Sequence, residues 1–79
     1  MENLKKYNKV MCQTLQVEEK DLDGLTYQSV EAWDSVGHMN LISALEDAFD
    51  IMFDTEDIIN FSSYEKGKEI LAKNYDIAF

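Results

Sequence analysis

The sequence predicts an all-α domain, a four-helix bundle of three longer helices and one short one, and three observations carry that expectation. Apolar residues recur at the i, i+3, i+4 and i+7 spacing of amphipathic helices in separate stretches of the chain. There is no proline, and nowhere do apolar and polar residues alternate strictly enough for a half-buried strand. The 79 residues suffice for one domain, residues 1–79, with a thin core. A chain of this size buries only a little over ~60% of its unfolded surface, which works against the deep, dry cleft of an autonomous enzyme.

Helix one is expected over residues 3–15, NLKKYNKVMCQTL, where Leu4, Tyr7, Met11 and Leu15 form a stripe with Val10 beside it and Asn3 serves as cap. Residues 16–33 show no lasting period and read as a long loop. Such loops are uncommon in small domains and are held by their own side chains, here Val17, Leu22, Leu25, Val30 and Trp33. Asp34 then caps helix two, expected from Ser35 to Phe49 and roughly 22 Å long at 1.5 Å per residue. Its predicted inner stripe is Val36, Met39, Ile42, Leu45 and Phe49, widened by Leu41, Ala44 and Ala48. Thr55 caps a short segment, EDIIN, whose Ile58 and Ile59 are expected to face the core. Ser62 with Glu65 three residues on reads as a capping box for a last helix through about Asn74. That helix is expected to bury Tyr64, Ile70 and Leu71, and Gly67 weakens it by about 1 kcal/mol relative to alanine.

Seven basic residues against sixteen acidic ones give a formal charge of −9. Such a surface repels nucleic acid and anionic membrane and draws partners with basic patches, at rates that fall as salt rises. A hydrophobic share of 46% is too high for a disordered acidic tail, so the chain should fold. The single cysteine, Cys12, permits no internal disulfide and points to a reducing, cytoplasmic setting, as a small helix residue and not a catalytic thiol. No apolar run approaches ~18 residues, and MENLKKYNKV lacks the apolar region of a signal peptide, so no membrane contact is expected.

The stretch EAWDSVGHMNL, residues 31–41, holds Asp34, Ser35 and His38 within five positions. A hydrolase needs a base oriented by a buried acid, an oxyanion hole and a pocket. Asp34 is adjacent to Ser35 and committed to capping, and no G-x-S-x-G elbow surrounds the serine, so the trio is not read as catalytic. DLDG at 21–24 imitates the start of a calcium loop, but Gly24 falls at position four and Ala32 at twelve, where that loop needs glycine at six and glutamate at twelve; no metal site is expected. Two readings of Ser35 then remain: an ordinary helix start, or a serine displayed for modification. A hydroxyl at the first helical position lies at the positive end of the dipole, where a phosphodiester is stabilised by ~0.3–1 kcal/mol and by unpaired N–H groups.

The pattern WDSVGHMNLISALEDAFDIMF resembles the acyl carrier proteins: an Asp-Ser-Leu-like motif opening the second helix, an apolar stripe, an acidic ALEDAFD close, and Ile-x-Phe before a short third helix. The resemblance extends over most of the chain and implies a bundle of acyl-carrier type. It also implies that a phosphopantetheinyl transferase attaches 4′-phosphopantetheine to Ser35, with Asp34 capping the helix and helping that enzyme bind its metal and substrate. The chain is then no enzyme; the thiol of the arm carries an acyl thioester for acyl-loading and acyl-transfer enzymes. Glu46, Asp47, Asp50, Glu56 and Asp57 become the face for their basic patches, and Val36, Met39, Ile59 and Phe61 the lining of an acyl-chain pocket. A monomer is expected.

Val36 where leucine is usual, Gly37 where many fatty-acid carriers have an acid, and Asn40 in place of a common glutamate make the chain more similar to dedicated carriers of biosynthetic clusters than to the general fatty-acid synthase carrier. His38 is read as a solvated side chain. An aminoacyl or peptidyl carrier, to which Gly37 points, and an acidic helical adaptor that is never modified are the alternatives; a small hydrolase would turn over an ester unaided.

Overall fold

α1 (Glu2–Leu15) opens the chain, and the structure, a computed structural model, describes residues 2–79. Tyr7, Met11 and Leu15, each four residues from the next, are its buried side, with Leu4 and Val10 half-buried beside them. Because the helix begins at Glu2, Asn3 lies inside its first turn and is not the cap; its side chain instead donates to the Ala78 carbonyl at 2.9 Å, fastening the end of the chain to α1.

The loop that follows is held as the sequence suggests, by Leu22, Leu25 and Trp33, all buried, with Val17 and Val30 half-buried. It also contains order that no local pattern announces. Residues Glu19–Asp21 form a 3₁₀ turn, and Gly24, at φ +80°, supplies a left-handed step beside the Leu25-to-Leu22 hydrogen bond. Thr26 pairs antiparallel with Ser63, so that Tyr27 N–H donates to Ser62 at 2.8 Å and Tyr64 N–H donates to Leu25 at 2.9 Å.

α2 (Ser35–Phe49) has the bounds the sequence predicts, but its inner face is rotated from the expected stripe. Gly37, Leu41, Ile42 and Leu45 are buried, whereas Val36 and Met39 are 71% and 53% exposed. The cause is Gly37. Without a side chain it lets the first turn press against the Ala32 carbonyl, and at about 100° per residue Val36 then lies to one side of that contact and Met39 about 200° round from it. The helix closes on Asp50 in a left-handed conformation, φ 55°, with Ile51 N–H reaching back to Glu46.

α3 (Thr55–Asn60) starts one residue earlier than expected, with Asp54 and not Thr55 in the capping position. Ile58 and Ile59, about 100° apart on the helix, are not both turned inward as expected. Asp57 and, four residues on, Phe61 take the inner side; Ile58 is half-buried and Ile59 is 73% exposed. α4 (Tyr64–Asn74) buries Tyr64, Ile70 and Leu71 as predicted, and Gly67 with them. Its cap is Ser63, not Ser62: the Ser63 hydroxyl accepts from Lys66 N–H at 2.9 Å, so there is no capping box with Glu65.

Aromatic side chains join the layers. Tyr7 stacks on Tyr64 at 5.2 Å and donates to the Tyr64 carbonyl at 2.7 Å, tying α1 to α4, while Phe61 meets Trp33 and Phe53 edge-on. Among the described residues no helix is long and apolar enough to cross a membrane.

Burial pushes the Tyr7 hydroxyl far above the usual tyrosine range, with Tyr64 and Glu65 adding to it, and burial also raises Tyr64 and Tyr75. An unfolded tyrosine ionises near ~10. Folding therefore favours the protonated forms, a contribution fully present below that pH and lost as pH rises through and beyond it. Urea midpoints should accordingly be flat from pH ~7 to ~9 and fall above ~10, and a midpoint that stays flat to pH ~11 would contradict this.

Candidate functional site

Ser35 is the first residue of α2, with its side chain exposed. Asp34, extended at φ −100°, caps that helix as predicted: Oδ1 accepts from Gly37 N–H at 2.7 Å, and the Asp34 carbonyl accepts from His38 N–H at 2.8 Å. The N–H groups of Ser35 and Val36 have no acceptor within the helix and remain available to an anion at Ser35.

Trp33, fully buried, fixes this end of the helix. Its N–H donates to Val30 at 3.1 Å and its carbonyl accepts from Gln28 at 3.0 Å. The indole Nε1–H donates to His38 Nδ1 at 2.9 Å. Nδ1 must therefore be unprotonated, which puts the imidazole proton on Nε2, 2.8 Å from the Ile58 carbonyl that accepts it. His38 is thus not a solvated side chain. It is half-buried, stacked against Trp33 and edge-on to Tyr27 and Phe61, and it links α2 to α3. With both nitrogens committed, His38 does not act as a base toward Ser35, and the Asp34-Ser35-His38 trio is no relay.

The group that does meet Ser35 is one sequence reasoning missed. Tyr27 Oη lies 3.1 Å from Ser35 Oγ, and the Tyr27 ring forms one wall of a cavity of about 220 Å³ lined also by His38, Ile58, Ile59, Phe61 and Ser62. Of the four residues expected to line an acyl pocket, Ile59 and Phe61 line this cavity. Val36 and Met39 lie on the surface and outside it, for the rotation of α2 described above. Phe61 is 1% exposed, a core residue with one side on the cavity. A wider groove of about 380 Å³ between the end of α1 and residues Val30, Glu31 and Ala32 includes none of the predicted site residues.

The acidic face is smaller than expected. Asp47, Asp50 and Glu56 are exposed and, among the described residues, take part in no ion pair. Glu46 is half-buried and accepts from Phe53 N–H at 2.9 Å, closing the turn after α2. Asp57 leaves the face altogether: it is 8% exposed, and its two oxygens accept from the Asn74 amide at 2.9 Å and the Tyr75 hydroxyl at 2.7 Å. A carboxylate is buried at tolerable cost only with its lone pairs occupied, and the last residue of α4 and the residue after it supply the donors. Among the described residues no cluster of three or more His, Cys, Asp or Glu side chains is arranged to hold a metal ion.

Compared with protein-family models, curated proteins and solved structures, the chain gives no significant match.

Proposed function

We propose that this chain is an acyl carrier protein, taking 4′-phosphopantetheine on Ser35 and presenting an acyl group, as a thioester on the thiol of that arm, to partner enzymes. The observation that carries the reading is the setting of Ser35. Its hydroxyl is exposed at the first position of a fifteen-residue helix whose start is locked by Asp34 and Trp33, with free first-turn amides and a tyrosine hydroxyl at hand to meet a phosphodiester. The resemblance of WDSVGHMNLISALEDAFDIMF to acyl carrier proteins adds to it. The bound arm would supply the reactive thiol; the residues of this chain hold its phosphate end and the surface around it.

Partner enzymes meet a mixed face. Val36, Met39, Met52 and Ile59 stand exposed on and around α2 and α3, with Asp47, Asp50 and Glu56 free on the same two elements and the turn between them. Exposed apolar side chains beside unpaired acids suit brief, salt-sensitive contacts with basic patches, which a carrier visiting several enzymes requires. A short acyl chain rests in the cavity beside Tyr27 and Ile59. The proposal includes a monomeric, cytoplasmic protein and a phosphopantetheinyl transferase as its first partner.

Gly37 loses its weight as a pointer to an aminoacyl cargo. A Cβ there would lie 1.8 Å from the Ala32 carbonyl oxygen, so packing accounts for the missing acid and the choice of cargo does not enter.

Ser35→Ala separates the carrier from an unmodified adaptor. The variant should keep its stability to within about 0.5 kcal/mol, since the site is exposed and Asp34 retains the cap. It should take up none of a fluorescent coenzyme A analogue in a gel assay with a broad-specificity transferase, while the parental chain is labelled. Equal labelling of the two chains would remove Ser35 from the reading.

A further inference from the structure

We propose that Tyr27 is a positioning residue for the modification of Ser35: its hydroxyl orients the serine beforehand and donates to the phosphate of the attached group afterwards. The inference rests on the carrier reading and goes beyond it, since neither the Asp-Ser motif nor the helix start calls for a tyrosine in the preceding loop.

The chain has four tyrosines. Three of their hydroxyls are spent inside the fold: Tyr7 on the Tyr64 carbonyl, Tyr64 on the Asn8 side chain, and Tyr75 on Asp57. The fourth, Tyr27, points its hydroxyl at Ser35 Oγ, 3.1 Å away. That hydroxyl is held in place from several directions. The Tyr27 N–H is bound to Ser62 at 2.8 Å, and its ring is edge-on to Trp33 (82°, 6.3 Å) and His38 (66°, 5.3 Å). Trp33 and His38 are themselves fixed by their mutual hydrogen bond and by His38 to Ile58. An exposed serine at a helix start is otherwise free to take any of its staggered rotamers.

In the transfer, Ser35 Oγ attacks the pantetheine-bearing phosphorus of coenzyme A. The Oγ–P bond forms, the bridging P–O bond to the 3′,5′-ADP leaving group breaks, and the hydroxyl proton passes to a base of the transferase. Before attack, either hydroxyl can donate to the other, and the contact selects one Ser35 rotamer. Afterwards Oγ carries no hydrogen and the phosphate oxygens only accept, so Tyr27 becomes the donor. A hydrogen bond to a charged oxygen is about twice as strong as one between neutral groups, so the contact tightens on modification. It draws the base of the arm toward the side of Ser35 where Tyr27 walls the cavity.

Tyr27→Phe keeps the ring and removes the hydroxyl. With a phosphopantetheinyl transferase, coenzyme A and Mg²⁺, the variant should show a kcat roughly three- to tenfold below that of the parental chain at an unchanged KM. A merely structural role for Tyr27 would not single out kcat. The Cζ carbon of Tyr27 in the parental chain, followed by ¹³C NMR, should move on modification while those of Tyr7, Tyr64 and Tyr75 stay, and this decides the matter if the variant does not fold. Modification of both chains at equal rates with an unmoved Tyr27 signal would overturn the proposal and leave the carrier reading standing. A folded parental chain that is never modified would overturn both.

Discussion

Replacing Trp33 with alanine is expected to cost about 4 kcal/mol, the range for truncating a large buried aromatic being ~3–5 kcal/mol. Trp33 is 0% exposed and packs on Tyr27, His38 and Phe61. Its removal opens a cavity where the long loop, α2 and α3 meet, and it strips His38 Nδ1 of its donor. At ~0.05–0.15 kcal/mol per residue, a chain of 79 residues has a total of roughly 4–12 kcal/mol, so this one change takes a third of it or more. Trp33→Phe should cost less, mainly the ~1–3 kcal/mol of an acceptor left unpaired. Urea unfolding followed by circular dichroism measures both variants, and a loss below about 1.5 kcal/mol for Trp33→Ala would contradict the central place given to this side chain.

Gly37→Ala is expected to destabilise by about 3 kcal/mol, the upper end of the usual cost of overpacking. Helix propensity alone predicts the opposite sign, since alanine is favoured over glycine inside a helix by about 1 kcal/mol. The structure decides between the two. The added Cβ would meet a backbone atom, the Ala32 oxygen, which can give way only by moving the loop off α2. Because Asp34 and Ser35 lie between those two contact points, the displacement would disturb the cap and Ser35 together. Slower labelling by the transferase should accompany the loss of stability, and a variant as stable as the parental chain would show that the close approach does not set this helix start.

Most of the architecture could be read from the chain because it is encoded locally. The periodic stripe of α1, the Asp34 cap and both ends of α2 follow from residues within a turn or two of one another. What could not be read depends on distant partners. The carboxylate of Asp57 is satisfied by Asn74 and Tyr75, seventeen and eighteen residues on, so an acid in a short helix read as surface although it is buried. His38 is defined by Ile58, twenty residues away, and by Trp33. The Thr26–Ser63 pairing is a single bridge, too short to leave an alternating pattern. The turned face of α2 has a different cause: Gly37 counts as neither apolar nor polar in a periodicity argument, yet its lack of a side chain decides which way Val36 and Met39 face. Tyr27 could have been found only by asking which loop residue reaches Ser35, and spacing carries no such information.

The most direct test of the carrier assignment is the intact mass of the folded chain after incubation with coenzyme A, Mg²⁺ and a broad-specificity phosphopantetheinyl transferase. The account predicts a single species heavier by one phosphopantetheine, with the added group on Ser35. An unchanged mass, from protein shown to be folded, would contradict it and leave Asp34 and Ser35 as the start of a helix and nothing more.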